Sequence, residues 1–151
     1  MNWSHVHLML NHIPVLGVFF GLLLLLAAKL RKSEELDKAS LVVFVLMGAA
    51  AGLVYFTGEQ AEVAVTQIPE ISKTLVLQHD DAAFYAVTSA CILGGVALLG
   101  LFLFRGTRSA PRWFGVVVLL LALLTTGLVV WTANLGGYIR HPEIRSAANH
   151  N

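Results

Sequence analysis

Four stretches of this chain contain no Asp, Glu, Lys, Arg or His: Ile13–Ala28, Ala39–Gly58, Ala82–Phe104 and Trp113–Ile139. A bilayer core takes ~20 apolar residues per helix, within a range of ~17–25. The last three stretches meet that length outright, and the first meets it by adding Leu8, Met9 and Leu10. None alternates with a period of two, which excludes a transmembrane barrel. The expected fold is all-α: a four-transmembrane-helix bundle forming a single membrane domain. Its helices are expected at about 8-30, 40-58, 74-105 and 111-135, with a loop at about 59-73.

Composition agrees. The chain is 57% hydrophobic and 13% charged, with a mean hydropathy of +0.75, whereas a soluble domain carries ~25% charged residues. The basic residues form no stripe that could track phosphates, so a nucleic-acid partner is not expected. The lone Cys91 lies in an apolar run and reads as an inert small hydrophobe. The first residues, MNWSHVHLMLNHIP, lack the basic segment of a cleavable signal peptide.

Lys and Arg are distributed unevenly between the connections. Lys29, Arg31, Lys32 and Lys38 lie between the first two helices, and Arg105, Arg108 and Arg112 between the last two. The opposite side carries only Lys73, Arg140 and Arg145. The positive-inside rule therefore puts both termini and the middle loop outside the cytoplasm, which for a bacterial inner membrane is the periplasmic side. Trp3, Trp131 and Tyr138 suit the outer interface, and Trp113 the inner one.

Local punctuation sharpens the boundaries. Ser109-Ala110-Pro111 resembles a helix opening, and Ser40 is a candidate cap for the second helix. Gly136-Gly137 is expected to close the fourth helix. Gly17 and Gly21 form a GxxxG pair suited to close approach. Pro14 marks Ile13 as a helix start or a kink. If the helix starts there, His12 lies in its first turn, with His5 and His7 on a flexible arm.

Histidines and carboxylates gather on one side of this frame. His7 and His12 precede the first helix, His79 opens the third and His141 follows the fourth. Glu59 and Glu62 follow the second helix, Asp80 and Asp81 adjoin His79, and Glu143 adjoins His141. The inner loops carry no histidine. Ionisable groups at the ends of membrane helices are by default functional candidates. On a helix, His79 shares a face with Ala82, Ala83, Ala86 and Ala90. That strip leaves room for a flat macrocycle or, as is more common, a neighbouring helix.

Three readings follow. Haem iron takes axial imidazoles, and a bundle can present two from facing helices. His12 with His79, or His79 with His141, would serve a b-type haem, and Arg140 would neutralise a propionate. The absence of CxxCH excludes covalent attachment. Such a haem would exchange electrons with membrane quinol or a periplasmic carrier. A non-haem metal site would use the carboxylates as well, drawing on His7, His12, Glu59, Glu62, His79, Asp80, Asp81, His141 and Glu143 to bind iron, copper, zinc or manganese. A third reading needs no cofactor and makes the chain a small subunit of a respiratory complex. Nothing in the pattern specifies a substrate that is turned over.

The segments HVHLMLNHIPVLG, TGEQAE, HDDAAF and GGYIRHPEI give the whole chain a resemblance. It resembles a set of small, largely uncharacterised bacterial four-helix inner-membrane proteins. They are related to membrane domains sometimes joined to cytochrome c or Rieske modules. The resemblance implies a redox setting. It points to His7, His12, Glu62, His79, Asp80, Asp81, His141 and Glu143, without naming a cofactor.

Overall fold

In a computed structural model of the chain, residues 3–68, 71–105 and 110–140 are described, and among them every regular element is helical. In chain order these are α1 (Trp3–Leu10), α2 (His12–Arg31), α3 (Glu34–Val65), α4 (Lys73–Leu103) and α5 (Arg112–Arg140). Four helical segments are long and apolar enough to cross a membrane, with α1 and α2 together forming the first. The protein is a multi-pass, four-helix membrane bundle. At 1.5 Å per residue, the 32 residues of α3 measure about 48 Å, against a hydrocarbon core of about 30 Å. Several turns of the longer helices therefore extend past the apolar layer.

The helices run longer than charge-free stretches alone suggest. α3 begins at Glu34 because Ser33, in extended geometry, accepts a hydrogen bond from the Leu36 amide at 3.3 Å. Glu34, Glu35 and Asp37 in its first turn complement the helix dipole. Ser40 is not the cap. It is fully buried, and its hydroxyl donates to the Asp37 carbonyl at 2.7 Å. At the other end α3 continues through Glu59 and Glu62 to Val65, so the middle connection is shorter than expected. α5 likewise passes through Gly136 and Gly137 and ends at Arg140. Glycine weakens a helix interior but does not end it unless the chain has somewhere else to turn. Of the opening Ser109-Ala110-Pro111, Ser109 lies outside the described residues. The Pro111 carbonyl accepts the Phe114 amide at 3.0 Å, starting the first turn of α5.

α2, α3, α4 and α5 form a ring of antiparallel neighbours, closed by α2 against α5, with α1 laid on α3. Phe44 and Leu25 are buried at the centre beside Leu93, Ala97 and Val118. The tightest backbone approach joins α3 to α4. A Cβ at Gly48 would lie 2.9 Å from the Ala90 carbonyl oxygen and 3.3 Å from the Gly94 Cα. One at Gly94 would lie 3.1 Å from the Phe44 carbonyl oxygen. The Gly17 and Gly21 pair does something else: it leaves space for the side chains of Met47 and Phe44. Along α4, Ala82, Ala86 and Ala90 are buried. The small-residue strip below His79 is thus taken up by helix packing.

The buried side chains of Ser40, Ser89 and Thr125 are paired. Ser89 of α4 and Thr125 of α5, both buried, share a 2.6 Å hydrogen bond. At the far end from the histidines, Lys29 reaches Asp37 at 2.7 Å across the two-residue turn between α2 and α3. That turn is made by Lys32 in left-handed geometry (φ 51°). Outward, Leu16, Phe20, Leu53, Phe56, Leu99 and Leu120 are exposed. An apolar surface of that extent calls for lipid as its solvent.

Because the α3–α4 approach leaves no space for a side chain, Gly48→Ala should lower stability by about 1–3 kcal/mol. Thermal unfolding in mild detergent would read this. Gly95→Ala is the control, since nothing lies within 4 Å of a Cβ there, and it should leave stability unchanged or raise it by up to ~1 kcal/mol.

Candidate functional site

The helix ends at which the chain enters and leaves the bundle carry the histidines, and two of these are built into the fold. His7 is half-buried on α1, facing α3. Its Nδ1 lies 3.3 Å from the Val54 carbonyl oxygen and 3.2 Å from Thr57 Oγ1. The Thr57 hydroxyl spends its own hydrogen on that same Val54 carbonyl, at 2.7 Å. With the hydroxyl turned this way both neighbours of Nδ1 act as acceptors, which assigns the proton to Nδ1. In the neutral ring the lone pair then stands on Nε2.

His79, half-buried on α4, repeats the arrangement. Its Nδ1 donates to the Thr132 carbonyl of α5 at 3.0 Å. A carbonyl only accepts, so here too the lone pair is left on Nε2. Neither Nε2 has a hydrogen-bond partner among the described residues. His79 lies close enough to His7 for its charge to act weakly on the His7 ring.

The two seats share a second feature. Gly58 stands four residues after Val54, and Gly136 four residues after Thr132. A Cβ at Gly58 would sit 3.1 Å from His7 Cε1, and one at Gly136 would sit 3.2 Å from His79 Cε1. In each case the ring lies across one helical turn, bonded to a carbonyl and resting where the next side chain would be. Gly136 therefore provides the His79 seat in place of the helix stop expected of it.

The other expected residues are placed differently. His5 and His7 lie on the helix α1, where an arm was expected. His12 is exposed, and its Nδ1 donates to the Leu8 carbonyl at 2.9 Å. It serves the junction between α1 and α2. Glu59, Glu62 and Asp80 surround Tyr55 closely enough to act on it electrostatically. Glu59 and Asp81 are exposed, while Glu62 and Asp80 are half-buried. Among the described residues, no three His, Cys, Asp or Glu side chains come together as a metal site. His141 and Glu143 lie outside the described residues, as does the side chain of Arg140.

Sequence reasoning missed Thr57, Gly58, Thr132 and Gly136, along with Tyr55. The available signal was a glycine inside the outer end of each receiving helix. No protein-family model, curated protein or solved structure matches the chain.

If Gly136 is the seat of the His79 ring, Gly136→Ala should cost about 0.5–2 kcal/mol of stability in the wild-type background. That cost should vanish when His79 is already Ala, a coupling that a double-mutant cycle in detergent measures directly. Gly127→Ala, with nothing within 4 Å of its Cβ, should show no such coupling.

Proposed function

We propose that this chain is a membrane electron-transfer protein that holds a b-type haem at its histidine end, with His79 and His7 as axial ligands. The observation that carries this reading is the similar seating of two imidazoles on different helices. Each has Nδ1 tied to a backbone carbonyl and Nε2 without a partner. Histidines that ligate metals characteristically donate the other ring N–H in this way, which fixes the tautomer and raises ligand basicity.

The donor set suits haem better than a non-haem ion. Haem iron asks the protein for two axial groups, whereas zinc or a dimetal centre asks for three or more. A site drawing on Glu59, Glu62, Asp80 or Asp81 has no such group to rest on among the described residues. Because the alanines of α4 are buried in helix packing, the proposed cofactor would sit at the mouth of the bundle, above Ala82, rather than along the strip. Bound haem would supply a one-electron couple. The chain would supply the two imidazoles, the carbonyls that orient them and an apolar surround. Arg140, which ends α5 one turn beyond Gly136, is the cation assigned to a propionate.

The setting we infer is a bacterial inner membrane with the histidine end facing the periplasm, as the Lys/Arg bias implies. Quinol, a periplasmic electron carrier or another respiratory subunit would be the electron partner. The resemblance to membrane domains joined to cytochrome c or Rieske modules points the same way.

The test is an absorption spectrum of the protein purified in mild detergent, before and after dithionite. A Soret band with a sharpened reduced α-band is expected. His79→Ala and His7→Ala should each lose or weaken that spectrum, whereas His12→Ala should keep it. A protein without visible absorption, even after incubation with haem, would overturn the reading.

A further inference from the structure

The two histidines are seated alike but carried differently. His79 belongs to a 31-residue helix and is flanked on it by buried Val76 and Ala82. His7 belongs to α1, an eight-residue helix with no buried residue. The His7 ring ties α1 to the bundle, bonded to Val54 and Thr57 of α3 and resting on Gly58.

The junction behind α1 keeps helical backbone at Asn11, whose N–H donates to the His7 carbonyl at 2.9 Å, but it has two weak points. Pro14 has no N–H, so the Leu10 carbonyl is deprived of its ordinary helical donor. Between the two, the His12 ring donates to the Leu8 carbonyl at 2.9 Å and braces the segment across Asn11. Asn11, at the break, has its side-chain oxygen buried with no hydrogen-bond partner among the described residues. A buried acceptor without a donor is unfavourable, and this one stands where α1 meets α2.

We propose that α1 is a flap over the histidine end, hinged at Asn11–Pro14 and latched to α3 by the His7 ring. Releasing the latch swings His7 away and leaves His79 in place, so the site opens on one side only. The flap is a property of the apoprotein and does not depend on the haem reading. Where that reading also holds, His7 is the detachable ligand and His79 the permanent one.

Amide hydrogen exchange on the full-length protein in lipid nanodiscs, without added haem, tests this. His7→Ala should speed exchange across Trp3–Leu10 by about tenfold or more while α4 and the body of α2 stay at wild-type rates. His7→Asn, whose side-chain amide can replace the Nδ1 donor, should stay near the wild-type rate. Asn11→Leu, which removes the unpartnered oxygen, should slow exchange in α1. Unchanged α1 exchange in His7→Ala, or an increase shared equally by α2, would overturn the latch. A His7→Asn protein that behaves like His7→Ala would overturn the hydrogen bond as its basis. An Asn11→Leu protein no slower than wild type would overturn the hinge.

Discussion

The approach of α3 and α4 at Gly48 and Gly94 is the contact from which the other placements follow. With a Gly94 Cα only 3.3 Å from where a Cβ on Gly48 would be, the two longest helices are held backbone to backbone near their middles. In lipid there is little hydrophobic drive to bring helices together, and close packing has to supply it. The crossing fixes the ends of α3 and α4 relative to one another. α3 then offers the Val54 carbonyl to α1, and α4 delivers His79 to the Thr132 carbonyl of α5.

The second governing constraint is the shortage of hydrogen-bond partners in an apolar medium. An imidazole N–H there must find an acceptor, and helical carbonyls are nearly the only ones present. They are normally covered by the side chain one turn on. A glycine at that position uncovers them, which is why each ring meets a carbonyl and a glycine four residues apart on the same helix. The remaining ring nitrogen is left outward as a lone pair. The same economy explains the Ser89–Thr125 pair and the capture of the Leu8 carbonyl by His12.

Much of this fold was legible in the sequence, since the charge-free stretches outline four spanning helices and the last three match α3, α4 and α5 in position. What local sequence concealed was contact between helices. Gly136-Gly137 carries the usual mark of a helix stop, and only the presence of His79 opposite shows why a glycine stands inside α5. Gly17 and Gly21 look like a backbone contact, yet they accommodate Met47 and Phe44, while the true backbone contact is Gly48 with Gly94, a pair far apart in the chain. One haem pairing read from the sequence used His12. Its ring instead turns back to the Leu8 carbonyl of its own segment, leaving His7 to face the bundle. His79 was legible because it opens a long helix without a glycine or proline to interrupt it.

The central claim is that His7 and His79 are held as neutral imidazoles with the proton on Nδ1 and the lone pair on Nε2. Nitrogen-15 magnetic resonance of histidine-labelled, cofactor-free protein in lipid, at a pH above the histidine range, reads the tautomer of each ring. Both His7 and His79, assigned by their loss in His7→Ala and His79→Ala, should show the Nδ1–H form. The Nε2–H form at either ring would contradict the account, because that nitrogen would then be a donor with no lone pair to offer.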